Sequence, residues 1–529
     1  MQNKNIVLLI NAHHAYIRHI NGEEKKYPEE NALIFEAISD TYIPLLNMFA
    51  ALERENVPFH VAMVFSATLC SLLSDSIIQE QYIEWLDKRI ELGKKELERA
   101  GDNIKLSAAV KFCYEKANRD KIDFTEVYEQ NLLRAFVAYV KKGYIELLAT
   151  AGTYAFLPHW ADMPEVINAQ IETGLYACRH YFGIKPDGFW LPYLGYKPGI
   201  EQILRAYGFG YTILETHGIL YSDITPDDGI FYPARCSNSL SVFGRDPETE
   251  RDLFGIDGFS TKNSYRDQNR DIGFELTPEQ LAPFISEGDI RVPTGYHYWN
   301  HATGSGAAVY EPSAAAEQIK EDAGKFLDRK AKKLDAALDL MRGKNPVLVC
   351  TVDAATIGQK WYEAIDWLGE VLRQAASRNI RITTFEEILE DQFSLQKIHP
   401  YPSANSSDGY GEDLLDSSNG WMIRYLHKAG ERMIDLAERF PSDTGLKARL
   451  LNMGAKEFLL AQSGEWPKML HDGQSVEYVK KRFRESIIAF TTVFDSLGSN
   501  TVSTEWLTNL ERCHTLFPWM NYRIFSRKK

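Results

Sequence analysis

A chain of 529 residues with 44% hydrophobic and 25% charged residues has enough apolar material for more than one core, and its composition excludes a disordered or fibrous protein. Its net charge of −14 argues against a nucleic acid or an anionic membrane as partner, because phosphate binding needs clustered Lys and Arg. The six cysteines are scattered without a C-x-x-C pair, and the opening apolar run Ile6–Ile10 is too short for a secretion signal, so reduced thiols and a cytoplasmic location are expected.

Short apolar runs with little alternation predict strands at Asn5–Ala12, Phe59–Ser66, Ile145–Thr150, Gly188–Leu191, Tyr211–Leu214, Ser239–Phe243 and Pro346–Val352. Strands buried on both faces of a parallel sheet have this character. Helical periodicity lies between them, at Asn31–Asn56, Pro164–Phe182, Glu317–Arg342 and Trp361–Arg378. The β-α-β-α order predicts an α/β fold with a parallel sheet or barrel over residues 1–400. Residues 67–142 hold more helix than one crossover needs and predict a helical insertion over the barrel mouth, while Ile219–Gln280 reads as long functional loops. The polar, turn-rich segment Tyr401–Gly411 opens a region, 401–529, that is helical by period at Trp421–Arg439, Thr444–Ser463, Ser475–Leu497 and Ser503–Leu516.

In a parallel barrel, function collects where strands end and βα loops begin. The first such end, Asn11-Ala-His-His-Ala-Tyr-Ile-Arg-His19, is polar; His13 and His14 fall on opposite faces, so at most one lines a pocket. Glu146 lies inside an apolar strand and needs either a structural partner or a catalytic reason. Trp190 and Tyr196, in Asp187-Gly-Phe-Trp-Leu-Pro-Tyr-Leu-Gly-Tyr196, could stack on sugar rings or simply pack. Asp353 closes the strand ending Val349-Cys-Thr-Val and suits a general acid whose pKa burial raises; a helix cap is the alternative. His297 and His301 have the i, i+4 spacing of a metal pair, but the surrounding glycines speak against a helix and no third ligand is evident.

Taken in order, these segments resemble glycoside hydrolase family 57, and in particular its 1,4-α-glucan branching enzymes and amylase-like members. The resemblance extends to Phe243-Gly-Arg-Asp-Pro-Glu248, Tyr265–Gly273, Leu459-Leu-Ala-Gln-Ser-Gly-Glu-Trp-Pro467 and Phe517–Arg523. It implies an incomplete seven-stranded (β/α) barrel, a helical insertion and a C-terminal α-helical domain. It also implies a retaining reaction on α-1,4-glucan or maltooligosaccharide, with a Glu nucleophile, an Asp general acid/base and neither metal nor cofactor. Asp353 matches the acid/base, whereas the nucleophile position holds Tyr193. His13, Tyr16, Arg18, Trp190, His217, Arg245, Asp246 and Trp361 match substrate-binding positions. Asn11, Ala15, Tyr154, Ala355, Gln359, Lys360 and Asp408 depart from the pattern.

Three readings follow. The first is a branching-enzyme homologue with lost or weakened transfer that still binds α-glucan. The second is an active enzyme in which Tyr193, helped by a base such as Glu146 or Glu215, or a relocated carboxylate, works with Asp353. The third is a non-catalytic scaffold. A phenol with a pKa of about 10 needs an adjacent base to act at neutral pH.

Overall fold

The computed structural model describes residues 4–282, 284, 290–302, 308–339, 341–390, 395–499 and 501–527. Nine strands form its sheet: β1 (Lys4–Ala12), β2 (Val61–Phe65), β3 (Ile145–Thr150), β4 (Gly188–Trp190), β5 (Tyr211–Leu214), β6 (Ala234–Arg235), β7 (Ser241–Gly244), β8 (Val347–Asp353) and β9 (Ile380–Ile382). Their order is β6-β7-β5-β4-β3-β2-β1-β8, with β9 beside the first residues of β1. Eight of them run parallel, the barrel strands β1–β5, β7 and β8 together with β9, and the short β6 is antiparallel to β7. The two ends of this sheet meet through one bridge between Arg245 and Val349, with the Asp246 N–H donating to the Val349 carbonyl at 2.8 Å. One bridge in place of a full ladder makes this the incomplete seven-stranded (β/α) barrel expected from the sequence.

Every expected strand is present. β6 and β9 are additional; they are two and three residues long, too short to show periodicity. The barrel interior is an apolar cluster including Val7, Leu9, Val64, Leu148, Ile213, Phe243 and Val349. Register places the functional ends level: Asn11 pairs with Asp353, Thr150 with Trp190, and Leu214 with Gly244.

Between β2 and β3 lie four helices, Ala67–Leu73, Ser76–Ala100, Ile104–Ile122 and Leu132–Lys141. Ser66, Asp75, Asn103 and Asn131 start them, each side chain accepting a first-turn N–H. The C-terminal helices are Ile423–Arg439, Gly445–Ala461, Glu465–His471, Val476–Ser499 and Thr504–Cys513. The short Glu465–His471 helix has no counterpart among the expected helices. These helices are tied to the barrel by polar bonds, with Thr153 Oγ1 donating to the Leu459 carbonyl at 2.7 Å and Gln170 Nε2 to Gln462 Oε1 at 3.0 Å. Among the described residues no helix is long and apolar enough to cross a membrane.

Candidate functional site

Beyond β4 the chain makes a strained elbow. Tyr193 and Leu194 have φ values of 54° and 50°, a left-handed conformation that residues with a Cβ hold only when their surroundings impose it. The loop after residue 400 supplies that constraint: the Asn405 N–H donates to the Tyr193 carbonyl at 2.7 Å, and Tyr196 and Ser403 exchange bonds of 2.8 and 3.1 Å. The Tyr193 ring meets Tyr154 edge-on, with centroids 5.4 Å apart. Opposite lies Gly464, where a Cβ would stand 2.7 Å from Tyr193 Cε2. Tyr154 is itself left-handed, at φ 54°.

Two of the residues that depart from the family pattern, Asn11 and Tyr154, are bonded to one another. Asn11 Nδ2 donates to Tyr154 Oη and to Asp353 Oδ1, both at 2.7 Å. Trp190 Nε1 donates to the same Tyr154 hydroxyl at 2.9 Å, and His13 stacks flat on the Tyr154 ring at 3.9 Å. His13 Nε2 in turn bonds the carboxylate of Glu465, which also accepts from Ser463 Oγ at 2.5 Å. Buried polar groups are costly when unpaired, so Asn11 and Tyr154 each make the other tolerable. The pairing is partial, since Asn11 Oδ1 and His13 Nδ1 stay buried without a hydrogen-bond partner among the described residues.

Asp353 stands at the β8 exit, facing a shallow recess lined by Trp190, Arg245, Glu250, Phe254 and Asn405. Asp353 is exposed to solvent at the strand end, and the protein packed on its other sides raises its pKa, against the opposing bond from Asn11. Asp353 therefore stays protonated to higher pH than a freely solvated Asp, as an acid catalyst requires. Arg245 holds this wall together through Glu215 at 2.6 Å, Glu250 at 3.1 Å and Asn405 Oδ1 at 3.2 Å. The Tyr193 phenol is pushed well above its usual 10 by burial first, and then by the negative charge of Glu465 and Asp353. Its hydroxyl has no hydrogen-bond partner among the described residues.

Neither base suggested by the sequence serves Tyr193. Glu146 lies upstream in β3, level with Ala62, away from the strand's exit. It accepts from Tyr211 Oη at 2.6 Å and from the Phe385 N–H at 2.7 Å, and burial lifts its pKa to about 7. Its structural alternative is the one realised. Glu215 is taken by Arg245. The carboxylate whose charge does reach Tyr193 is Glu465, in the Leu459–Pro467 segment of the C-terminal helices. Its remoteness in sequence hid it.

Of the residues matched to substrate-binding positions, Trp190 and Arg245 line the recess and His13 stands beside it on Tyr154. His217 Nε2 bonds the Gly409 carbonyl at 2.8 Å and so fixes the 401–411 loop; Asp408 is exposed at its tip. Four others face protein. Tyr16 Oη meets Thr515 Oγ1 at 3.2 Å, and Arg18 bonds Asp75 at 2.7 Å and the Arg512 and Cys513 carbonyls at 3.0 Å. Trp361 packs in the core against Trp367, Tyr265 and Phe254. Tyr196 is likewise buried and donates to Glu201 at 3.0 Å. His297 bonds the Arg270 carbonyl and accepts from Tyr362 Oη, so it does not converge with His301; no group of metal ligands exists among the described residues.

Asp246, the fourth, caps the Pro247–Phe254 helix and accepts from Lys330 and Lys333, both at 2.6 Å, with Lys330 only 1% exposed. Burial opposes its ionisation, but the two ammonium groups prevail and bring its pKa to about 2. Asp246→Ala leaves the buried Lys330 with Asp252, at 2.9 Å, as its remaining carboxylate and is expected to lower stability by about 1–3 kcal/mol, read by denaturant unfolding. Because the folded pKa is depressed, this contribution is full above the unfolded value near 4 and disappears as pH falls through about 2. An unchanged midpoint in the variant at pH 7 would contradict the buried pairing.

Comparison with known proteins places this geometry. The description "1,4-alpha-glucan branching enzyme, C-terminal" matches residues 425–525. The 1,4-alpha-glucan branching enzyme TK1436 of Thermococcus kodakarensis is 24% identical over 511 residues, covering 90% of this chain and 71% of that protein. The crystal structure of the alpha-amylase AmyC from Thermotoga maritima is 29% identical, covers 100% of both chains and superposes with a TM-score of 0.91. A GH57-type branching enzyme from Pyrococcus horikoshii shares the fold at 24% identity, with a TM-score of 0.89 over 100% of this chain and 98% of its own. The model of glycosyl hydrolase family 57 matches residues 7–400, which is most of the sequence, and the chain belongs to that family.

Proposed function

We propose that this protein binds α-1,4-glucan in the recess beside Asp353 and has lost, or retains only weakly, the retaining glycosyl transfer of its relatives. The observation that carries this reading is Tyr193. Retention needs an ionised nucleophile opposite the acid. A phenol of ordinary pKa is ionised in only about one molecule in 10³ at pH 7, and burial beside Glu465 makes the fraction smaller still. Binding is favoured by the bonded wall, in which Tyr154 accepts from both Asn11 and Trp190, and by the indole of Trp190 and the guanidinium of Arg245 that line the recess. The buried free thiols among the described residues suit a reducing compartment.

One observation speaks for an active enzyme instead. Glu465 is the foremost charge acting on Tyr193 and could take its proton. However, the Glu465 oxygens already accept from His13 and Ser463, which makes it a poor base.

Amylose incubated with the protein is expected to keep its iodine stain and branch content, while maltoheptaose binding is measurable by calorimetry. Robust branching or hydrolysis, abolished by Asp353→Asn or Tyr193→Phe, would overturn the loss of activity. Absence of any glucan binding would overturn the ligand.

A further inference from the structure

Six large aromatic side chains are exposed among the described residues, and three of them form one row: Tyr221 at 65%, Tyr401 at 45% and Tyr410 at 52% exposure. Tyr401 is the middle member, meeting Tyr221 with ring centroids 6.3 Å apart and Tyr410 at 6.4 Å, both edge-on. Tyr410 also meets His217 at 5.4 Å. Isolated exposed aromatics are ordinary; a contiguous set leaves apolar area in water with no return from folding.

The row is also held still. The Tyr401 N–H donates to the Gly218 carbonyl at 2.9 Å, and the Tyr221 N–H to the His217 carbonyl at 2.9 Å. The Tyr410 N–H donates to Glu412, as do the Asp408 N–H and Ser406 Oγ. Against the cost of desolvation these donors bring the Glu412 carboxyl to about 2, so the loop's brace stays charged at any physiological pH. The same 401–411 loop grips the Tyr193 elbow through Asn405. The row is therefore rigidly connected to the recess yet lies outside its lining.

We propose that Tyr221, Tyr401 and Tyr410 form an outer platform for a long α-glucan chain, separate from the recess. Rigid aromatic faces suit the C–H faces of successive sugar rings, and no phenol hydroxyl of the row has a hydrogen-bond partner among the described residues. Tyrosine is efficient in this role because little side-chain entropy is lost when a partner settles on it. A row of rings spaced along a surface favours a polymer over a short oligosaccharide, since one chain engages several rings at once. The ligand class rests on the glucan reading above.

The test uses the full chain carrying Tyr221→Ser, Tyr401→Ser and Tyr410→Ser together. Retardation in gels containing amylopectin is expected to weaken by at least about tenfold, while maltotriose affinity measured by calorimetry stays within about twofold. Undiminished retardation of the triple variant overturns the platform and leaves the glucan reading standing. So does a parent that binds maltotriose but is not retarded by amylopectin. Equal loss of both ligands also overturns it, because the tyrosines would then belong to the recess. A parent that binds neither ligand overturns the glucan reading itself.

Discussion

Tyr193→Glu is expected to raise glycosyl transfer to amylose by about two to three orders of magnitude over the parent, equivalent to about 3–4 kcal/mol of barrier. Much of what a retaining reaction needs is in place: the strained elbow that presents residue 193, Asp353 with a raised pKa at the β8 exit, and Arg245 and Trp190 on the wall. What the parent lacks is a group that ionises and attacks at neutral pH. Glutamate is smaller than tyrosine, so it fits between Tyr154 and Gly464, and it pays no more than tyrosine does for the left-handed backbone. The new carboxylate will face Glu465 and Asp353, and like charges raise one another's pKa. Activity is therefore expected to rise with pH across the acidic range, and Glu465→Gln added to Tyr193→Glu should move that limb to lower pH. Initial rates of branch formation, measured with debranching and chain-length analysis, decide the matter. No gain in a variant that still binds maltoheptaose like the parent would show that the altered neighbours, Asn11 and Tyr154, have closed the site to chemistry.

The barrel was readable in the sequence because parallel strands, covered on both faces, are apolar on both, and runs such as Val61–Phe65 cannot be mistaken for amphipathic surface. Asp353 was readable because strand exits collect function, and Tyr193 because the family resemblance marks its position. The orientation of the matched side chains was not. A motif transfers residue identity along the chain, while Arg18, Asp246 and Trp361 are directed by partners elsewhere: Asp75, the lysine pair on the Pro312–Leu338 helix, and Trp367. Glu465 escaped notice for the same reason. It reaches the barrel mouth only because the C-terminal helices dock there through Thr153, Gln170 and His13. The coupling of the departures was hidden as well. On the sequence, Asn11, Tyr154 and Tyr193 are separate anomalies, and only their contacts show that Asn11 and Tyr154 satisfy each other while Tyr154 braces Tyr193.

Gly464→Ala is expected to cost about 2–3 kcal/mol and to weaken glucan binding, because this glycine is needed for space alone. Its φ of −67° and ψ of −18° are ordinary helical values that alanine adopts freely. The added Cβ, however, would lie 2.5 Å from the Tyr154 carbonyl oxygen and 2.7 Å from Tyr193 Cε2. The carbonyl cannot yield cheaply: Tyr154 is fixed by its N–H to Ala151 at 3.1 Å and by Asn11 and Trp190 at its hydroxyl. Relief must come from the Glu465–His471 helix moving away, which parts Glu465 from His13 and opens the wall above Tyr193. Removing the ring should relieve only one of the two collisions. Tyr193→Ala combined with Gly464→Ala is thus expected to be more stable than the sum of the single changes predicts, by about 0.5–1.5 kcal/mol in a double-mutant cycle. Strict additivity would mean that residues 193 and 464 do not press on each other. A positive coupling ties the tyrosine at the nucleophile position to the glycine that makes room for it, as a site rebuilt around the aromatic ring requires.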